Sequence, residues 1–246
     1  MPVHRTREIA AIERRVAGEP ALELEDGGAV VLFGLGPPLQ RLPPQQRAAA
    51  IVADLAPVLR SIRWARQVHG ATVLAVEDGG GDPVDCIGDA DGLVTSRAGC
   101  GLVVWTADCV PVALVSPRAI AMVHAGWRGA AAGIVAAAVR RLSESGGHHR
   151  QLRAFLGPAV CGRHYQVGPE VIEALAQTGV PRPAWLAGDH VDLRSLLAAQ
   201  LAALGVGGVQ TVGPCTVETP DLASYRRDGA AAGRQWSLVW RMADGG

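Results

Sequence analysis

Three residues in the middle of the chain have side chains and settings suited to catalysis: His69, Cys109 and His124. Each stands beside a glycine, proline or acid near the end of an apolar, strand-like segment, in Val68-His69-Gly70, Asp108-Cys109-Val110-Pro111 and His124-Ala125-Gly126. They lie 40 and 15 residues apart, which is no zinc-finger spacing, so only the fold could bring them together. Two imidazoles and one thiolate are an accepted donor set for a catalytic zinc that keeps its fourth position open. Zinc would hold Cys109 deprotonated and draw the pKa of a bound water toward about 7. Taken singly, each residue has a plainer explanation. A histidine beside glycine at a strand end usually hydrogen-bonds at the surface, and a cysteine in an apolar run usually belongs to the core. Asp108 tips the balance, because an acid in a buried strand is costly unless paired. Asp108-Cys109 therefore suggests a strand that bulges into a site.

Arg128, in Gly126-Trp127-Arg128-Gly129, falls at the expected start of a helix, where free backbone N–H groups and a planar guanidinium suit phosphate or carboxylate. A surface arginine paired with a neighbouring acid is the equal alternative. Asp89-Ala90-Asp91-Gly92 has the composition of an acidic site loop, but the simpler reading, a turn in which Asp91 caps backbone groups, is preferred. His4, His148, His149 and His190 read as solvated.

The elements that must position these groups follow from periodicity. Residues 20–35 alternate apolar and polar around Asp26-Gly27-Gly28, a hairpin pattern. Pro37, Pro38, Pro43 and Pro44 punctuate a loop, and residues 45–62 then carry helical spacing. Residues 72–77 form a short strand and 79–83 a loop. Residues 101–116 are a nearly continuous apolar run broken at Asp108, Cys109 and Pro111. A second strand, 119–123, runs into His124, and an amphipathic helix over 130–143 follows. Strands at 153–156, 208–212 and 236–240 and helices at 169–177 and 193–204 complete the pattern. The expected fold is one α/β (α+β) domain over residues 1–246, with mixed β-sheets and flanking helices, since the alternation is too irregular for a barrel.

Composition excludes several classes. With 246 residues, 49% of them hydrophobic and 19% charged, general disorder is out. Lys+Arg and Asp+Glu are both 23, and a neutral chain without a basic block offers no footprint to nucleic acid or an anionic membrane. Every basic residue is arginine, which excludes Schiff-base and P-loop lysines. Asparagine is absent too, which excludes an N-glycosylation sequon and a Cys-His-Asn triad. The five cysteines (Cys86, Cys100, Cys109, Cys161, Cys215) form no C-x-x-C pair, against a disulfide scaffold or a zinc ribbon. No apolar run approaches the roughly 20 residues of a membrane span, and the Arg- and Glu-rich start is unlike a signal peptide. A reducing, cytoplasmic compartment is the expectation.

Six segments, in order, resemble a known family: Arg66-Gln67-Val68-His69-Gly70; Asp89-Ala90-Asp91-Gly92-Leu93-Val94-Thr95; Thr106-Ala107-Asp108-Cys109-Val110-Pro111; Val123-His124-Ala125-Gly126-Trp127-Arg128-Gly129; Gly157-Pro158-Ala159-Val160 with Tyr165-Gln166-Val167-Gly168; and Cys215-Thr216 with Ser224-Tyr225-Arg226-Arg227-Asp228-Gly229 and Gly233-Arg234. The pattern resembles the multicopper polyphenol oxidase, or laccase-domain, family, also described as the YfiH-type purine nucleoside phosphorylases. The resemblance implies a single YfiH-like domain, grouped with cysteine hydrolase folds. It also implies a zinc on His69, Cys109 and His124, and small-molecule partners only: a purine nucleoside and phosphate. Implied activities are phosphorolysis of adenosine, inosine, guanosine and methylthioadenosine, and deamination of adenosine. Asp108 and Arg128 are the expected catalytic residues, Arg128 on phosphate and Asp108 on the base or on a ligand side chain. A monomer or small homo-oligomer is expected.

Copper is the metal of the older laccase label, but a lone trio of donors lacks the many histidines of a multicopper site. The alternative is a cysteine hydrolase or amidase acting on a cell-wall precursor, with Cys109 as nucleophile and His124 as base. Three departures from the family pattern stand out. The usual Thr-x-Arg-x-Gly-Gly-x-Ser, whose arginine is expected in the site, is replaced by Val31-Leu32-Phe33-Gly34-Leu35-Gly36. His164 stands where relatives usually have cysteine, as an added ligand or a benign swap. A Ser-Leu-Asn-type stretch is reduced to the proline-rich 37–44 segment.

Overall fold

Three strands open the fold as an antiparallel meander: β1 (Ile12–Val16), β2 (Glu19–Asp26) and β3 (Ala29–Gly34). Gly27 and Gly28 both take positive φ in the β2–β3 turn, as a two-residue hairpin with the right twist requires. The computed structural model describes residues 8–37, 39, 41–77, 81–147 and 149–243. Then come α1 (Pro44–Leu55), β4 (Ser61–Arg66), β5 (Val73–Ala75), β6 (Val84–Asp89), β7 (Gly92–Thr95), β8 (Cys100–Thr106), β9 (Val110–Val115) and β10 (Ile120–Ala125). The second half holds α2 (Trp127–Ala131), α3 (Ile134–Glu144), β11 (Arg153–Leu156), α4 (Pro169–Ala176), the short pair β12 (Leu186–Ala187) and β13 (His190–Val191), α5 (Leu193–Ala203), β14 (Gly208–Thr211), α6 (Tyr225–Asp228) and β15 (Gln235–Arg241).

The strands form two large sheets, ordered β1-β2-β3-β15-β8-β4-β6 and β14-β11-β9-β10-β7-β5. Both are mixed: β4 runs parallel to β6 and β8, β5 to β7, and β11 to β14, while the other pairs are antiparallel. Because successive side chains point to opposite faces of a strand, an unbroken apolar run is buried on both faces. On β8, Leu102 and Val104 pack between the sheets against Val115, Ile120 and Met122. Val103 and Trp105 face the other way, into the cluster completed by α1. On β9 and β10, Val112, Leu114, Ala121 and Val123 face α3 and α5. The layers are therefore α1, the seven-stranded sheet, the six-stranded sheet, then α2 to α5, a mixed α+β domain. Truncating a fully buried side chain such as Leu114 to alanine should cost about 2–5 kcal/mol.

Two expected helices need correction. The helix read over 45–62 stops at Leu55, because Pro57 forces Ala56 to extended backbone (ψ 143), and Ile62 belongs to β4. The helix read over 130–143 begins earlier, at Trp127, and breaks at Gly133, whose φ of 79 is left-handed. The loop expected at 79–83 lies partly outside the described residues, and Pro38, His4 and His148 lie outside them.

Candidate metal centre and active-site cleft

The site sits where three strands of both sheets end together. His69 lies in the loop after β4, Cys109 in the break between β8 and β9, and His124 at the end of β10. Two backbone devices turn these side chains inward. Only Ala17, His69 and Asp108 among described non-glycine residues have positive φ; His69 has 60 and Asp108 has 83. Such left-handed residues cost free energy and persist only where surrounding contacts hold them, commonly at functional sites. Gln67 supplies one such contact. Its side chain donates to Trp105 O and accepts from Trp105 N, both at 2.8 Å, so it continues the β4–β8 pairing with an amide in place of backbone.

Asp91 supplies the others. It is 1% exposed, and its carboxylate accepts from the N–H groups of Val68 (3.3 Å), His69 (2.9 Å) and Gly70 (2.6 Å) and from His124 Nδ1 (2.8 Å). One buried acid thus fixes the His69 loop and the His124 ring together. An ionised carboxylate only accepts, so Nδ1 of His124 donates to it and Nε2 is the nitrogen left to face Cys109 or a metal. Burial works against the charge on Asp91. The hydrogen bonds from His124 and Gly70, the nearby His124 charge and the His69 N–H outweigh burial and hold the carboxyl below its ordinary value.

The donor atoms of His69, Cys109 and His124 all lie within 4.8 Å of one another, so the expected trio does converge. The two rings meet edge to face, with centroids 4.8 Å apart. His124 is buried, Cys109 half-buried and His69 exposed, so the cluster opens to one side. Gly126 keeps it compact: a Cβ there would lie 3.0 Å from Cys109 Sγ and 3.2 Å from His69 Cδ2. Burial pushes the Cys109 thiol up, but the facing His124 and His69 side chains bring it down to about 6. Burial likewise pushes His124 down, and Asp91 with Cys109 raises it to about 9. The chemistry of this donor set, one ready thiolate and two imidazoles open on one side, fits a single zinc ion.

Asp108 is placed differently from a free acid. Its Oδ1 accepts from the Thr216 hydroxyl at 2.6 Å and its Oδ2 from the Arg226 N–H at 2.7 Å, while its own carbonyl accepts from Val160 N. It therefore ties the Cys109 break to two later loops. The cleft beside the trio measures about 840 Å³ and is walled by Trp64, Trp105, Trp127 and Tyr165 together with Arg66, Arg128, Arg226 and Arg234. Arg128 stacks on Trp127 at 4.3 Å and Arg226 on Tyr165 at 4.9 Å. Neither guanidinium makes a hydrogen bond or ion pair with a described residue. The loss of the N-terminal arginine pattern thus leaves a cleft that still carries four arginines. Burial, with the charge of Cys109 beside it, pushes Tyr165 up to about 12, so its hydroxyl stays protonated.

His164 does not join the trio: its Nε2 lies 2.9 Å from Oε1 of Glu218, which itself belongs to a second group of donors with Cys161 and Cys215. His190 pairs with Asp189 at 2.7 Å at the surface. Asp91 was read as a turn residue that caps backbone groups, not as the group that orients His124; Gln67 and Trp127 gave no signal of a role in the site beyond their place in the matching segments, and Tyr165 and Arg226 likewise entered only through them.

A family model described as multi-copper polyphenol oxidoreductase laccase matches residues 45–242. Among curated proteins, purine nucleoside phosphorylase ORF3 of Streptomyces griseus is 39% identical over 231 residues, covering 92% of this chain and 89% of that protein. Purine nucleoside phosphorylase Rv2149c of Mycobacterium tuberculosis is 43% identical over 183 residues, covering 72% of this chain and 71% of that one. Among solved structures, YlmD from Geobacillus stearothermophilus superposes with a TM-score of 0.77 at 26% identity, covering 95% of this chain and 100% of its own. The Bacillus licheniformis hypothetical protein YfiH gives 0.79 at 24% identity over 93% and 98%, a likeness in fold.

Proposed function

The chain belongs to the multi-copper polyphenol oxidoreductase laccase family, and from that premise we propose that it is a zinc-dependent purine nucleoside phosphorylase that also deaminates adenosine. The observation that carries the proposal is the pair of arginines, Arg128 and Arg226, stacked on aromatic rings without an acidic partner among the described residues, in the same cleft as His69, Cys109 and His124. Cations stripped of partners in a cleft favour an anionic ligand, and planar guanidinium forks suit phosphate. The names of the curated relatives agree with this chemistry.

In the proposed reaction Arg128 and Arg226 hold phosphate against the ribose. A phosphate oxygen bonds to C1′ as the C1′–N9 bond breaks, and the bonding pair leaves with the purine. The aromatic walls exclude water and orient the base, and the protonated Tyr165 hydroxyl donates a hydrogen bond to the nitrogen on which charge develops. Asp108 acts by position, holding the Cys109 break and the Arg226 backbone in register. Zinc, when bound by His69, Cys109 and His124, supplies Lewis-acid polarisation. The same site extends the proposal to adenosine, with water replacing the 6-amino group and ammonia leaving. Adenosine, inosine, guanosine and methylthioadenosine are the proposed substrates.

A second reading has one observation in its favour: without metal, Cys109, His124 and Asp91 align as thiolate, imidazolium and orienting carboxylate, the order of a cysteine hydrolase. Metal decides between them, since a zinc-held thiolate is a poor free nucleophile. Copper oxidase chemistry has less support, because one thiolate and two imidazoles hold one ion. Arg226→Met is the direct test of the leading proposal. Losing one charged contact of about 1.5–3 kcal/mol should raise the phosphate KM roughly 10- to 150-fold with nucleoside KM little changed. An unchanged phosphate KM would remove its main support.

A further inference from the structure

We infer that the chain carries a second metal site, separate from the His69–Cys109–His124 centre, in which Cys161 and Cys215 supply two thiolates and Glu218 a carboxylate to a soft divalent cation, zinc, at the surface behind the cleft wall. The ligand atoms of these three residues all lie within 4.8 Å of one another, although they come from points 54 and 57 residues apart in the chain. Zinc bonds of about 2.3 Å to sulfur and about 2.0–2.2 Å to oxygen put tetrahedral donors roughly 3.5–3.8 Å apart. Cys161 Sγ already stands 3.8 Å from Glu218 Oε1, the spacing of two zinc ligands, and the other pairs lie within 4.8 Å. His164 Nε2 is 2.9 Å from that same oxygen but outside the group of three, so it would have to move closer to serve as a fourth ligand.

The segments that bear these ligands are built firmly. Residues Ala159 and Cys215 form a parallel bridge, Thr216 N donates to Ala159 O at 3.1 Å, and Cys161 N donates to Cys215 Sγ at 3.2 Å. Arg227 grips the 215–219 loop through the carbonyls of Thr216 (2.9 Å), Val217 (3.3 Å) and Thr219 (3.1 Å). A site with so little left to order loses little conformational entropy on binding. Cys215 is buried, Cys161 half-buried and Glu218 exposed, which leaves a path for the ion. Arg163 competes for Glu218 at 2.6 Å, but its side chain is 77% exposed and can swing away, and its charge would then offset the excess negative charge of two thiolates and a carboxylate. The chemistry is that of a structural zinc. The ion would staple the two segments whose next residues, Val160 and Thr216, hold Asp108.

Zinc titration of a chain in which Cys109→Ala and His124→Ala abolish the first centre isolates the second. One equivalent of zinc should remain bound, and Cys161→Ser with Cys215→Ser should remove it. Cobalt bound in its place should show thiolate-to-metal charge-transfer absorption that the two serines abolish. Should the first-centre variant fail to fold, wild type and the Cys161→Ser, Cys215→Ser chain are compared instead. Zinc should then fall from two equivalents to one. A folded first-centre variant that binds no zinc would overturn the inference, as would equal zinc content with and without the serines. So would a thiol count on the freshly reduced, metal-free chain showing that Cys161 and Cys215 close rapidly to a disulfide that zinc does not prevent. Each outcome is independent of whether the protein turns over any nucleoside.

Discussion

Asp91→Asn probes the site at the point where fold and chemistry meet. In the wild type, Oδ1 serves His69 N–H (2.9 Å) and His124 Nδ1 (2.8 Å), while Oδ2 serves Gly70 N–H (2.6 Å) and Val68 N–H (3.3 Å). An asparagine has one acceptor oxygen. If it takes the Oδ1 position, its NH₂ faces the donors of Gly70 and Val68; if it takes the other, the His124 ring and His69 backbone lose their acceptor. Hydrogen bonds to a charged group contribute about 1.5–3 kcal/mol each, and a buried donor left unsatisfied costs about 1–3 kcal/mol. Folding of the metal-free chain should therefore weaken by about 2–4 kcal/mol, read from urea denaturation. Loss of the group that orients a metal-binding histidine should weaken zinc about 10- to 100-fold, read by competition with a chromophoric chelator. Asp89→Asn is the control: Asp89 pairs with Arg66 at the surface, and its loss should change stability by no more than about 0.5 kcal/mol. An Asp91→Asn chain as stable as Asp89→Asn, with zinc affinity within about threefold of wild type, would refute the idea that Asp91 positions both histidines.

Gly126→Ala places a methyl group against Cys109 Sγ and His69 Cδ2. Overpacking of this kind costs about 1–3 kcal/mol, and zinc affinity measured alongside urea stability should drop even where the chain folds. Glu19 gives a pH test. Burial raises its carboxyl above the ordinary value, and this outweighs the hydrogen bonds from Leu39 N–H and Trp236 Nε1–H and the charge of Arg47. The folded chain then holds a proton that the unfolded chain has released above about pH 4.3, so stability falls as pH rises from there through the raised folded value. Glu19→Gln lacks that slope. Urea titrations across the window should show the wild type losing ground to the variant as pH rises, and parallel curves would contradict the assignment.

The legible part of the site was the part that breaks a pattern. Asp108 and Cys109 interrupt an apolar run that is otherwise buried on both faces, and the structure has the chain break between β8 and β9 there, with Asp108 in left-handed backbone. His124 ends a second such run. The turn reading of Asp91 is right in kind, since it does accept backbone N–H groups. The donors, though, lie 21 to 23 residues upstream, brought near by the parallel β5–β7 pairing, and no local spacing marks that. Gln67 is hidden for the same reason, its partner being 38 residues away. The hairpin at 20–35 was legible because glycine at both turn positions and strict alternation agree. The long helix misled because its Ala/Leu/Arg composition continues to Ile62, while a single proline decides where the helix ends. Strands β1, β4 and β6 carry charged sequence, β7 is only four residues long, and all four owe their pairing to neighbouring strands rather than to their own periodicity.

Product analysis gives the most direct test: zinc-loaded protein incubated with inosine or adenosine, with and without inorganic phosphate, and with His124→Ala as the partner sample. The expected result is free purine base and ribose 1-phosphate in equal amounts, only when phosphate is present and only from the chain that retains His124. Inosine formed from adenosine without phosphate would report the deaminase step at the same centre. Zinc-loaded protein that releases no base in the presence of phosphate, or a His124→Ala chain that turns over as fast as wild type, would contradict the assignment of phosphorolysis to this cleft.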